Sequence, residues 1–488
     1  MAIWKVPEKA FLWIGAIVGV CLVLLTPPFQ VPDEYQHFYR AYQLSEGQIL
    51  ADYHVGECSG YTRDRQDIPC SGGYLPKSLL VTVREVSPPN LRGSAEVKQN
   101  PQDIFALLDL PLQPSDRAFI RFQGAALYSP VSYIPQTIGI AVGRIFGASP
   151  LIMFYLGRFV NLLAWLGLGY WAICKTPMVS WLFVLLLLMP MSLFQAGSLS
   201  ADAVTNGLVF LLTATFLQYG LTKPTISDRD LWFVGILCLA LPLVKPAYIP
   251  LIFLFLLIPA RKTNSKEPST ATQDSSNHSP LFSGRFFSKY TAVAGGIFAA
   301  SILTMLGWSS VAGDDYGKIY PSILPEEQLL FVLQHPFEYV GIWFHTLQAF
   351  AGQYLVEFIG KLGWLDTPLP LLVIVSYWLV LLVVALVRVD NSPIAIAWWQ
   401  KLILGLVWLA SCGLIFTLIY AAGSPVGANI IQGVQGRYFI AIAPLLFLLL
   451  YNRKIRFPGK YFLTAIVFYL LLVQGVTLTM VVHRYYLG

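Results

Sequence analysis

Directly after the first apolar run of the chain stands Val31-Pro32-Asp33-Glu34-Tyr35-Gln36-His37-Phe38-Tyr39-Arg40, two adjacent carboxylates followed by an imidazole and a guanidinium. If a helix starts at Pro32, then Asp33, His37 and Arg40 fall at i, i+4 and i+7 on one face. A carboxylate there could act as a general base on an acceptor hydroxyl or as a metal ligand. His37 could then be a second ligand, a proton carrier or a phosphate-binding donor. The plainer reading is a capped interfacial helix whose acids suit the positive end of the helix dipole. Clustered ionic groups at a membrane edge carry a desolvation cost that packing alone would avoid, which favours a functional role.

Further on, Ser198-Leu199-Ser200-Ala201-Asp202 sits at the junction of two apolar runs, where Asp202 either joins the same cavity or caps a helix starting at Ala203. Lys245 (Val244-Lys245-Pro246) and Arg437 with Tyr438 (Gln435-Gly436-Arg437-Tyr438-Phe439) are cations at membrane junctions. Either could hold a lipid phosphate, Arg as a bidentate fork and Lys as a point charge, or simply snorkel to headgroups. Asp366, Glu357 and the adjacent pair Asp314 and Asp315 are weaker candidates, more often loop or capping residues. Asp33, Glu34, Asp314 and Asp315 could at most contribute to a divalent Mg or Mn site. Arg144 and Arg158 read as interfacial anchors. The chain has no Gly-x-x-x-x-Gly-Lys-Ser/Thr loop, no His-Glu-x-x-His pair and no Cys-x-x-Cys pair, which argues against an ATP-driven pump and a zinc protease.

The elements that must position these residues are membrane helices. The 488 residues are 56% hydrophobic and 12% charged, which excludes disorder and an ordinary soluble enzyme. Of the net charge of +6, residues 27–127 carry −3 and the remainder +9. A basic remainder strung between apolar runs fits positive-inside orientation and not a nucleic-acid partner. Spans are expected near 10–26, 150–173, 177–197, 203–221, 231–244, 246–260, 289–311, 368–388, 400–420, 437–451 and 461–482, while 128–146 and 337–360 stay ambiguous. The result is an all-α polytopic membrane protein of about 11 to 13 helices in a single domain. The first apolar run reads as a retained helix with a cytoplasmic amino terminus. The polar stretch 261–288 and the basic stretch 452–460 are expected to be cytoplasmic loops. Counting from them puts the 27–127 loop outside, where Cys58 and Cys70 could pair in an oxidising compartment.

The Pro-Asp-Glu-x-x-His-x-x-Arg stretch ending in Glu46-Gly47 stands together with Ser-Ala-Asp-Ala (200–203), Lys-Pro-x-Tyr (245–248), Gly-Trp-Leu-Asp (363–366) and Gln-Gly-Arg-Tyr-Phe (435–439). This set resembles the bacterial family known as domain of unknown function 2142, over nearly the whole chain. Its members look like integral-membrane glycosyltransferases of the GT-C type, with a large first external loop, an essential acid in that loop and a polyprenyl-phosphate sugar donor. The resemblance implies Asp33 or Glu34 as the catalytic first-loop acid, Asp202 as the acid at the start of a later helix, and Lys245 and Arg437 as phosphate-binding cations; His37, Arg40, Asp366 and Tyr438 are further candidates for binding substrate. Tyr35, Tyr39 and Trp364 would stack on sugar faces. The acids here are adjacent and not Asp-x-Asp, which sets the chain apart from metal-dependent relatives. The acceptor would be a cell-envelope glycan, lipid or protein at the extracytoplasmic face of the bacterial cytoplasmic membrane. The rival readings are a transporter or flippase of lipid-linked saccharide, a glycan polymerase or ligase, and a receptor or scaffold.

Overall fold

The computed structural model describes residues 6–94, 96–258, 289–313, 323–387, 394–452, 455 and 459–487. The expected cytoplasmic loop 261–288, most of 452–460, and Asp314 and Asp315 lie outside them.

The chain begins with α1 (Pro7–Leu25), a membrane-length helix with Pro7 at its first turn. The short helix α2 (Glu34–Ser45) follows. Next come strands β1 (Asp52–Cys58) and β2 (Arg65–Pro76), helices α3 (Lys77–Val86) and α4 (Pro101–Ala106), strand β3 (Arg117–Arg121) and helix α5 (Gln123–Ala126). The three strands form an antiparallel sheet in the order β1-β2-β3, with Asp52 opposite Gly72 and Gly72 opposite Arg121. An all-α fold is therefore corrected at this point. Burial alternates along the second half of β1, from Val55 to Cys58, and a Cys58–Cys70 disulfide closes the β1–β2 hairpin. The polar segment packs on its own apolar core, in which Phe29, Phe38, Tyr42, Leu79 and Phe122 meet Tyr133 and Phe154 from later helices. Replacing both cysteines with serine should cost this unit about 2–4 kcal/mol, because the bond closes a short loop in the unfolded chain. An earlier thermal unfolding midpoint, with a gel-mobility change on reduction of the wild type only, checks it.

The membrane part continues with α6 (Ile134–Ile145), α7 (Pro150–Lys175), α8 (Ser180–Leu187), α9 (Pro190–Ala196), α10 (Asp202–Leu221) and α11 (Asp228–Val244). A 3-10 helix (Pro246–Leu257) leads on to α12 (Lys289–Ala312), α13 (Pro325–Gln334), α14 (Pro336–Gly360), α15 (Leu371–Leu386), α16 (Trp398–Gly423), α17 (Ala443–Leu450) and α18 (Gly459–Tyr486). Among the described residues six helices are long and apolar enough to cross a bilayer: α1, α7, α10, α12, α16 and α18. Two shorter apolar helices, Pro246–Leu257 and α15, accompany them. The expected span 177–197 is instead two buried helices broken at Met189-Pro190, because Pro190 cannot donate a backbone hydrogen bond and holds Met189 extended. The ambiguous stretch 128–146 becomes a 3-10 turn (Pro130–Tyr133) and the twelve-residue α6, about 18 Å long and shorter than the hydrocarbon core. The stretch 337–360 is the 25-residue α14.

Local chemistry fixes the ends that matter for the site. Ser227 and Asp230 form a capping box that starts α11, and Pro246 forces Lys245 into an extended conformation that ends it. Lys245 is thus held at the break between two apolar segments. Ser149 caps α7 through the Ile152 amide, setting the depth at which Arg158 sits two turns later.

Candidate functional site

The two adjacent carboxylates have opposite fates. Glu34 is fully buried and takes both Nε (2.8 Å) and Nη2 (2.7 Å) of Arg158, itself fully buried, and its Oε1 also accepts the Leu199 amide (3.0 Å). The same guanidinium donates to the carbonyls of Val23, Thr26 and Pro27. Arg158 is therefore no interfacial anchor but a bolt between the end of α1, the start of α2 and the loop before α10. Its bidentate planar geometry suits a buried carboxylate, which a surface anchor would not need.

Asp33 precedes α2 in the left-handed region (φ 60°), a conformation that Asp tolerates better than most residues. The helix begins at Glu34 and not at Pro32. Asp33 is half-buried, and Oδ1 accepts from the Gln36 amide at 3.0 Å. Among the described residues no cation lies within 4.0 Å of it.

Below Asp33, His37 Nδ1 is 2.6 Å from the Tyr133 hydroxyl. Burial, then Arg437, pushes this imidazole below its ordinary 6.5, against the opposing pull of Asp33, Asp202 and Glu34. Between that lowered value and 6.5 the unfolded chain holds a proton the folded chain refuses. The neutral imidazole's contribution is complete above about pH 6.5 and is lost as pH falls toward the folded-state value. His37→Gln should shrink the loss of thermal stability between about pH 7.5 and about pH 5.5, read by unfolding midpoints in detergent.

Asp202 is the first residue of α10, and its carboxylate is spent on side chains and not on capping. Lys245 Nζ lies 3.1 Å from Oδ1, Gln195 donates to Oδ2 at 3.0 Å, and Arg437 Nη1 is 3.9 Å from Oδ2. Lys245 Nζ also sits 4.1 Å from the Tyr438 ring centroid, a cation–π contact. Arg437 Nε donates to Gln435 at 2.6 Å. The 3-10 turn Gly436–Phe439 that carries Arg437 and Tyr438 is tied to α14 by Glu357, which accepts the Gly436 amide at 2.8 Å and the Gln353 amide at 2.6 Å. A Cβ on residue 436 would stand 2.1 Å from the Tyr354 carbonyl oxygen, so only glycine allows this approach.

From this cluster an apolar groove of about 770 Å³ runs between α12 and α16. Met305, Trp308, Ile415 and Ile419 line its length, and Lys245, Tyr128 and Tyr438 close its polar end. Trp308 Nε1 donates to the Leu127 carbonyl (2.9 Å), pinning the groove to the polar segment. Lys245 thus faces Asp202 on one side and the groove on the other.

The remaining expected residues serve elsewhere. Arg40 is buried and donates to Gln43, the Ile49 carbonyl (2.7 Å) and the Tyr128 carbonyl (3.2 Å), tying α2 to its surroundings. Asp366 takes Arg484 (2.9 Å), the Gly93 and Trp364 amides and the Thr367 hydroxyl, clasping the polar segment, the 363–366 turn and α18. Tyr39 is wholly buried. Among the described residues no three His, Cys, Asp or Glu side chains gather as a metal site. Sequence reasoning missed Tyr133 and Tyr128, which lie in a stretch too apolar to suggest a site, and the partner of Glu34, 124 residues away.

The arrangement is that of a mostly helical polytopic membrane protein with ionisable residues collected where membrane helices meet a polar cap. The chain belongs to the family described as Predicted membrane protein (DUF2142), whose model matches residues 16–446. No curated protein and no solved structure matches it.

Proposed function

We propose that this protein is a GT-C type glycosyltransferase that moves a sugar from a polyprenyl-phosphate donor to an acceptor hydroxyl at the extracytoplasmic face of the bacterial cytoplasmic membrane. The observation that carries the reading is the apolar groove ending on Lys245, with Asp202, Arg437, His37 and Asp33 gathered at its polar end. A groove open between membrane helices suits an isoprenoid tail, and a cation at its head suits the phosphate.

In this reading the donor phosphate meets Lys245 and Arg437, whose charge stabilises it as the leaving group. Asp202 holds the two cations in place. Asp33, fixed by Gln36, takes the acceptor proton as the acceptor oxygen attacks the anomeric carbon and the bond to phosphate breaks. Glu34 has no free oxygen for that task, which favours Asp33 of the two acids. Neutral His37, joined to Tyr133, orients the polar end of the donor. Residues 27–127 face outside in this reading, in keeping with the disulfide, and the amino terminus is cytoplasmic. Counting the short and broken apolar helices with the long ones brings the bundle to about 11 to 13 crossings.

The groove is tested by photo-crosslinking with a diazirine-bearing polyprenyl phosphate. Labelled peptides should come from residues 242–247, 305–313 and 415–423, unlabelled polyprenyl phosphate should compete, and Lys245→Ala should cut labelling at least about tenfold. Labelling elsewhere, or labelling indifferent to Lys245→Ala, contradicts the donor site.

A further inference from the structure

On the other side of Gln36 from Asp33 lies a second cavity, of about 290 Å³, lined by Tyr35, Gln36, Tyr61, Arg65, Arg121 and Gly124. Its chemistry is unlike that of the groove. The Gln36 side chain bridges the two places, donating to Asp33 at 3.0 Å while its Oε1 accepts the Gly124 amide at 2.6 Å. Whatever fills this cavity is therefore one side chain from the proposed base.

The cavity is cationic by construction. Arg65 starts β2, the central strand, which the Cys58–Cys70 bond staples to β1, and Arg121 ends β3, which pairs with β2 on its other side. Among the described residues neither guanidinium lies within 4.0 Å of a carboxylate. The nearby Asp64 is already paired with Arg84 at 2.6 Å. Arg121 lies across Gly60, where a Cβ would stand 2.2 Å from Nε, and it donates to the Arg63 carbonyl at 3.2 Å. Burial, then the neighbouring Arg65 and Arg63, holds Arg121 below its ordinary value, against the opposing pull of Tyr35 and Asp64. Two cations held close repel each other, at a cost in free energy that an anionic ligand would offset.

Aromatic rings line the cavity beside the charges. Tyr35 packs on Tyr61 with centroids 4.9 Å apart. Arg92 braces both from behind, 4.3 Å from the Tyr61 centroid, 5.2 Å from that of Tyr35 and 3.4 Å from that of Trp364. An aromatic face beside paired guanidinium forks recognises a flat-stacking unit that carries a carboxylate or a phosphate. The volume sits at the lower end of the range for small-ligand sites, room for a sugar unit and not for a long chain.

We infer that this cavity is the acceptor subsite and that the acceptor is an acidic saccharide, its carboxylate or phosphate held by Arg65 and Arg121 and its ring stacked on Tyr35. The assignment of the cavity as an acceptor site rests on the transferase reading. Its preference for an acidic saccharide is measurable without turnover.

The test is equilibrium binding to the full-length protein in nanodiscs, using three probes of similar size: a uronic-acid trisaccharide, a hexose phosphate and a neutral trisaccharide. At least one acidic probe should bind tenfold or more tighter than the neutral one, and the two acidic arms tell carboxylate from phosphate. Arg65→Gln and Arg121→Gln should each erase most of that preference. Arg121→Lys should keep part of it, because the charge remains and the bidentate fork is lost. Unfolding midpoints of the variants report that the cap is intact, and crosslinking of polyprenyl phosphate to the groove should be unchanged. Equal binding of acidic and neutral probes, no binding of any probe, or a preference indifferent to both arginines overturns the inference. An arginine-dependent preference in a protein that transfers no sugar would retain the acidic-saccharide site and discard the transferase reading. Transfer to a neutral acceptor without any such preference would do the reverse.

Discussion

Asp33→Asn should lower sugar transfer by about a thousandfold, the scale of a lost general base, with little change in donor binding and none in the unfolding midpoint. The substitution is clean on structural grounds. Asn tolerates the left-handed backbone that residue 33 adopts, and Asp33 joins no ion pair among the described residues, so its charge bears no packing load. The amide can still accept from Gln36. What it cannot do is take a proton from the acceptor. The check is a kcat and KM comparison in proteoliposomes, where a fall in kcat at constant donor KM is the signature of an interaction made only in the transition state. A rise in KM at constant kcat would instead make Asp33 a binding residue.

Glu34→Gln should act on the fold. Removing one partner of a fully buried ion pair leaves the other charged and uncompensated, at a cost of about 3–5 kcal/mol. Arg158 would retain its three backbone carbonyls and lose the carboxylate that neutralises it. Because that guanidinium joins α1, α2 and the 198–200 loop, the loss should appear as a lower unfolding midpoint in detergent and lower membrane yield. Combining Glu34→Gln with Arg158→Met should recover a good part of the loss, since no buried charge then remains unpaired, and the two changes should be far from additive. A Glu34→Gln protein with wild-type stability and no transfer would return Glu34 to the role of base.

The sequence showed which residues matter better than it showed how they divide. Asp33 and Glu34 are neighbours with the same functional group, and only the three-dimensional position of Arg158, 124 residues on, sends one to the core and leaves the other at the site. Spacing along a chain carries no record of such a pair. Asp202, Lys245 and Arg437 were legible because a charge beside an apolar run needs a reason, and the three do converge. Arg40 and Asp366 look the same by that criterion, yet their partners are carbonyls, amides and Arg484. The long helices followed from hydropathy. The β-hairpin did not, because its strands mix glycine, charge and aromatic residues, and its stability comes from a disulfide and a core shared with α6 and α7. Pro246 stood at a break already legible between the expected spans 231–244 and 246–260, whereas the expected span 177–197 ran through the break at Pro190.

The most direct measurement is transfer by the wild-type protein in proteoliposomes, from a panel of radiolabelled polyprenyl-phosphate sugars to acidic oligosaccharide acceptors. Labelled acceptor formed by the wild type and Lys245→Arg, but not by Asp33→Asn, is the expected result. Donor bound in a Lys245-dependent way but never turned over would contradict the transferase and describe a carrier of lipid-linked saccharide.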